Sequence, residues 1–188
     1  MKKLLTLLTV VVAFWACSKE SSNVPPAPAP QAAPAAAPAA QEPVPAQQEP
    51  VLLISEYSFP ALNGGEKFVV KTDSQKPLLV ASMAGFCGFC KKMIPYVDEL
   101  AGEYKVQDVD IIIAFVDQTG DELKNLEPVQ NIKNVPVYYN GNQFAQDMKL
   151  EGFPTFYLIH NGKSIQKWVG FNPGYVDFMS QEIDKLIK

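Results

Sequence analysis

Cys87-Gly88-Phe89-Cys90 places two thiols three residues apart, and this pair has the type and spacing for chemistry. The apolar run Leu78-Leu79-Val80-Ala81-Ser82-Met83 precedes it, and a segment of helical periodicity follows. A strand that delivers the pair to a helix start puts the first sulfur near unpaired backbone N–H groups and the positive end of the helix dipole. That setting favours the thiolate, the form that attacks disulfides. The second cysteine, one turn on, can close a small ring with the first and release whatever the first has captured. The pattern reads as a working redox couple.

Two other readings compete. A zinc site usually takes a second Cys or His pair, and the chain adds only Cys17 and His160 to these thiols. A structural disulfide across so short a loop stabilises little, because loop-closure entropy grows with the number of residues enclosed. Redox activity ranks first, a structural bridge second and a metal third.

The elements that must position the pair follow from hydrophobic periodicity. Residues 67–71 read as a strand after the turn Asn63-Gly64-Gly65, and the fully apolar run from Leu78 to Met83 reads as a central buried strand. Ile94, Val97, Leu100, Ala101 and Tyr104 recur at helical spacing, with Pro95 inside that helix and expected to kink it. Residues 110–116 form a second buried strand. Residues 155–159 and 164–169 flank Asn161-Gly162, a hairpin signal. Asn172 and Pro173 are expected to cap a last helix carrying Tyr175, Met179, Ile183 and Leu186 on one face. Alternating strands and helices predict an α/β domain with parallel members in its sheet.

The N-terminus speaks to location. Lys2 and Lys3 precede an apolar run to Trp15, below the ~20 residues of a spanning helix, so residues 1–16 read as an export signal. Ala16-Cys17-Ser18 resembles a bacterial lipoprotein processing site, which implies that Cys17 becomes the lipidated first residue of the mature chain. A soluble secreted protein or an uncleaved signal anchor are the other readings. Ser18, in place of an acidic residue, points toward the outer membrane. Residues 17–50 then form a Pro/Ala-rich tether: nine of the 16 prolines lie between Val24 and Pro50, with no aromatic residue. Such a segment buries too little apolar surface to offset its ordering entropy, and fully extended it reaches ~100 Å.

Residues 51–188 are long enough for one sizeable core. They carry 13 Lys against 17 acidic residues, and the chain has no arginine, so neither a basic patch nor bidentate phosphate recognition suggests nucleic acid. No phosphate-binding glycine loop, serine-hydrolase signature or catalytic carboxylate pair stands out. The chemistry calls for no cofactor.

The order of elements resembles the thioredoxin fold. Cys87-Gly88-Phe89-Cys90 stands where that family carries its redox motif, Pro95 where it carries a helix proline, and Gly152-Phe153-Pro154-Thr155 where it carries the loop whose cis-proline faces the disulfide. Asn161-Gly162 and Val169-Gly170 match its closing hairpin and the glycine after it. The resemblance implies a thioredoxin-like α/β fold: a central mixed sheet flanked by helices. It further implies Cys87 and Cys90 as catalytic residues, Phe86, Gly88 and Phe89 as the active-site loop, and Phe153, Pro154 and Thr155 as the substrate-binding loop. Residues 58–64 look like the opening hairpin of the membrane-anchored, cytochrome-maturation (TlpA/ResA) type of thioredoxin-like reductase. The extra chain before the cis-proline loop is also typical of that type. It holds a short helix candidate at residues 121–126, an apolar run at 135–139 and a helical stretch at 143–149.

Such a protein is expected to reduce disulfides of exported proteins, with apocytochrome c among the candidates. It would face the periplasm from a lipid anchor and exchange electrons with a membrane-linked donor or acceptor. A disulfide-forming oxidase or isomerase is the alternative within the same chemistry. A tethered binding module or copper chaperone is the alternative outside it. The chain departs from thioredoxin at Phe86, usually tryptophan, and at the Gly-Phe dipeptide. It also has Ala81 where the family buries a carboxylate and Ile113 where that carboxylate's lysine partner sits, so Cys90 is expected to pass its proton to water or another group.

Overall fold

The computed structural model describes residues 51–53, 55–117 and 119–188. The export signal expected at residues 1–16, Cys17 and the tether expected at residues 17–50 lie outside the described residues. The strands are β1 (Val51–Leu52), β2 (Tyr57–Phe59), β3 (Phe68–Val70), β4 (Leu78–Met83), β5 (Asp110–Phe115), β6 (Val137–Tyr138), β7 (Thr155–His160) and β8 (Lys163–Val169). The helices are α1 (Gly88–Glu103), α2 (Glu127–Gln130), α3 (Asn142–Asp147) and α4 (Tyr175–Leu186), with a 3₁₀ turn at Leu123–Asn125.

Six strands form one mixed sheet in the order β1-β8-β7-β4-β5-β6. β4 runs parallel to β5 and β5 to β6, whereas β7 is antiparallel to both β4 and β8. β2 and β3 make a separate antiparallel pair. All six residues of β4 are buried, as its unbroken apolar run requires of a strand covered on both faces. Leu79, Ala81 and Met83 share one face with Cys90, Ile94 and Val97 of α1 and with Met179 and Ile183 of α4. Leu78 and Val80 point the other way, toward Tyr57, Phe59, Val70 and Phe144. Phe144 centres that second layer, edge-on to Tyr57 and Tyr157 with ring centroids 5.1 and 5.4 Å away.

The hairpin predicted around Asn161-Gly162 is present, both turn residues having positive φ (50° and 69°). A Cβ on Gly162 would lie 2.0 Å from the Thr72 carbonyl oxygen, so no other residue fits there. The extra chain differs in detail from the sequence reading. Residues 121–126 give only the 3₁₀ turn, and the chain restarts as α2 with Pro128 in its first turn, where a missing N–H costs nothing. The run 135–139 contributes two strand residues, because Pro136 has no N–H for the ladder. The last helix begins at Tyr175 behind Gly174. Asn172 acts one step earlier, accepting the Gly174 N–H at its side-chain oxygen (2.9 Å). α1 runs unbroken from Gly88 through Pro95 to Glu103.

One contact fastens the extra chain to α1. The Asp98 carboxylate accepts the backbone N–H groups of Lys133, Asn134 and Val135, at 2.7 Å for Asn134 and 2.9 Å for Val135. Three amides converging on one carboxylate form charge-assisted hydrogen bonds.

Candidate functional site

β4 ends at Met83, three residues turn, and Cys87 becomes the N-cap of α1 with extended backbone (φ −80°, ψ 112°). Its sulfur accepts the Cys90 N–H at 3.1 Å, taking one of the donors a helix start leaves unpaired. The turn is closed by Cys87 N–H donating to the Ala84 carbonyl (3.0 Å) and by Lys91 N–H donating to that of Cys87 (3.2 Å).

The two thiols are free and differ in surroundings. Cys87 is half-buried, and Cys90 is fully buried against β4 and α1. Burial, and secondly the hydrogen bond of its thiol with Cys87, push the Cys90 thiol far above its ordinary range. One sulfur is therefore open to a reaction partner, while the other holds its proton behind it.

Aromatic side chains flank the half-buried Cys87. Phe86 is 79% exposed and Phe89 57%. The Phe86 ring meets Phe153 edge-on at 6.0 Å, tying the motif to the proline loop. Phe89 stacks on Phe171 at 6.0 Å, and Tyr96 meets Phe171 in a T-shaped contact at 6.5 Å. The Lys92 ammonium lies 5.7 Å from the Phe89 ring centre. Gly88 has open space where a Cβ would stand.

The Phe153–Pro154 peptide is cis. Gly170 N–H donates to the Pro154 carbonyl at 2.7 Å. Thr155, expected to help bind substrate, is fully buried, and its hydroxyl donates to the Gly152 carbonyl at 2.7 Å. Its side chain shapes the loop from inside, leaving Phe153 as the loop's partly exposed side chain.

Ala81 and Ile113 are direct partners across β4 and β5, both fully buried. The cluster around Cys90 accordingly offers a methyl and a butyl group at the two positions where the resemblance implies a carboxylate and its lysine partner in thioredoxins. His160 sits at the end of β7 before the turn. Among the described residues no group of three or more His, Cys, Asp or Glu could hold a metal ion, and no helix is long and apolar enough to cross a membrane.

The sequence reading missed Asp117. Its carboxylate accepts the Gly85 N–H at 2.9 Å, bracing the turn two residues before Cys87, and a Cβ at Gly85 would crowd it at 3.2 Å. A lone Asp just past an apolar strand is the only trace of this in the sequence.

Comparison with known proteins agrees with this geometry. The thioredoxin family model matches residues 64–142. The protein disulfide-isomerase of Drosophila melanogaster is 41% identical over 98 residues, 50% of this chain and 19% of that protein. The thiol-disulfide oxidoreductase ResA of Bacillus cereus is 28% identical over 107 residues, 56% of this chain and 62% of that protein. The chain thus matches less than two thirds of either relative. The crystal structure of the pneumococcal exposed lipoprotein thioredoxin of Streptococcus pneumoniae superposes with a TM-score of 0.59 at 19% identity, covering 69% of this chain and 98% of that one. Dithiol, cis-proline loop, sheet order and these matches agree: the described residues have the thioredoxin-like fold, and residues 64–142 are similar to the thioredoxin family.

Proposed function

We propose that the protein is a thiol–disulfide oxidoreductase that reduces disulfides of exported proteins through Cys87 and Cys90. The observation that carries this reading is the asymmetry of the pair, an accessible sulfur at the helix cap and a buried, protonated one behind it.

The cycle is two thiol exchanges. Cys87, as thiolate, attacks one sulfur of the substrate disulfide. A Cys87–substrate bond forms, the substrate S–S bond breaks, and the other substrate sulfur leaves and takes up a proton. Cys90 then gives up its proton and attacks Cys87. The Cys87–Cys90 disulfide forms as the second substrate sulfur is expelled and protonated. Two electrons have passed to the substrate, and a membrane-linked thiol donor must restore the dithiol. With no carboxylate at Ala81, the Cys90 proton goes to water or another group, so resolution is the slow exchange.

The aromatic rim of Phe86, Phe89, Phe153 and Phe171 gives an unfolded or extended substrate an apolar bed beside the sulfur. The Ala16-Cys17-Ser18 site and the proline-rich stretch after it support a lipid-anchored protein of the cell envelope facing the periplasm, with residues 51–188 as its working domain. Run backward, the same steps oxidise a substrate, and the identity to a disulfide isomerase keeps that direction as the second reading.

Expressing Cys90→Ser in the native envelope tests the proposal. Exported proteins held on Cys87 through a bond that reductant releases are expected. An empty trap, or stoichiometric copper on protein purified under reducing conditions, overturns it.

A further inference from the structure

Among the described residues, Lys167 of β8 is the charged side chain that the fold buries, at 6% exposure. It stands opposite Tyr157 of β7, with its ammonium 5.9 Å from that ring's centre. The ammonium donates to the Lys149 carbonyl at 3.1 Å and to the Glu151 carboxylate at 2.7 Å. Taking an ammonium out of water is costly, and an apolar side chain of the same length on this strand would avoid the cost. The placement therefore needs an account, and its two partners supply one.

Lys149 lies just past the end of α3, one residue beyond its cap Met148. Leu150 N–H donates back to the Ala145 carbonyl at 2.8 Å, and Lys149 takes a left-handed φ of 53° that turns the chain toward the proline loop. Glu151 follows two residues later, three before the cis-proline. Lys167 thus grips the chain on both sides of Leu150, just as it enters the segment that ends at Phe153 and Pro154. The far end of that segment is held separately, by Thr155 on Gly152 and by Gly170 on Pro154.

We propose that Lys167 is a positioning residue, which with Glu151 fixes the cis-proline loop so that Phe153 presents its backbone to an extended substrate beside Cys87. This deepens the reductase reading and rests on it for the substrate. The loop's dependence on Lys167 does not.

The test uses the full-length protein, reduced, with Lys167→Met and Glu151→Gln as variants. The substrates are a peptide with one internal disulfide and the small aromatic disulfide 5,5′-dithiobis(2-nitrobenzoate). Losing one or two charge-assisted hydrogen bonds predicts a rise in peptide KM of about tenfold for Lys167→Met and about threefold for Glu151→Gln, with kcat within about twofold. The small disulfide, too short to lie along the loop, is expected to be affected less. Amide exchange at Phe153 is expected to quicken, while that of Trp168 on β8 holds. Parallel losses on both substrates, or an unchanged peptide KM, overturn the proposal. Should Lys167→Met fail to fold, Glu151→Gln decides alone, because that carboxylate is 65% exposed and its loss leaves the core intact. A wild-type protein inactive on both disulfides sinks the reductase reading, and amide exchange then still judges the loop: no change at Phe153 sinks the role of Lys167.

Discussion

The two walls of the site are built on opposite principles. On the helix side, Cys87, Phe86 and Phe89 stand in or near solvent and hold few hydrogen bonds beyond those of the turn itself. On the loop side, Pro154 and Thr155 are buried, and backbone groups from Lys149 to Pro154 are tied down by Lys167, Thr155 and Gly170. Reaction needs an accessible sulfur, whereas a strand that reads a substrate needs a fixed backbone. Changes on the first wall should act on rate or docking with little effect on folding. Changes on the second should act on recognition and stability together.

The sharpest break of this contrast is at the sulfurs. Cys87→Ser is expected to reduce peptide-disulfide turnover to the uncatalysed background while leaving thermal unfolding within about 1 kcal/mol of wild type, because the residue is half-buried and a hydroxyl can still cap the helix. A larger loss of stability would mean that the cap, too, belongs to the pinned wall. Ala81→Asp comes next. A carboxylate at a fully buried position with no partner should cost about 3 kcal/mol, read by denaturant titration. It should also quicken decay of the mixed disulfide, and unchanged decay would argue that proton removal from Cys90 does not limit resolution.

Phe86→Ala should raise peptide KM about fivefold, roughly 1 kcal/mol, without moving the melting temperature, since that ring is largely in water. If stability falls as well, its contact with Phe153 belongs to the fold more than to the substrate.

Titration sharpens the comparison further. The folded-state pKa of Cys90 is raised from an ordinary 9.0, so its contribution to stability is fully present below that value and is lost as pH rises past it. Reduced protein should therefore lose stability relative to the Cys87–Cys90 disulfide form above about pH 9. Subtracting the oxidised form removes the similar contributions of Tyr104 and Tyr157, whose burial raises them in both forms. A constant difference across that range would place the Cys90 sulfur in a wetter setting. The smallest effect belongs to Gly88→Ala: with open space around the new methyl and a helical backbone, a gain of about 0.5 kcal/mol is expected in chemical denaturation.

What was legible in the chain was whatever is local. The β4 run, the helix after Cys87, the Asn161-Gly162 turn and the proline of the loop each declare themselves within a few residues, and each stands where expected. Three contacts that brace the site were not legible. Asp117 reaches Gly85 across 32 residues, Lys167 reaches Glu151 across 16, and Asp98 reaches Val135 across 37. In sequence each is one more charged residue among many, indistinguishable from those on a solvated face. Their meaning arises only when the sheet order brings them to a partner. The short elements between β5 and β7 were blurred for a different reason: Pro128 and Pro136 decide where they stop, and apolar periodicity over so few residues does not.

Asp98 has a consequence for anyone rebuilding this molecule. The helix that presents the sulfurs is also the mooring post of the neighbouring segment, eleven positions downstream, or about 16 Å along the rod. Residues 121–131 can be exchanged for those of another protein only where three amides still find that carboxylate and an apolar side chain still takes the place of Leu123, which is buried with Cys90 and lies beside Gly85.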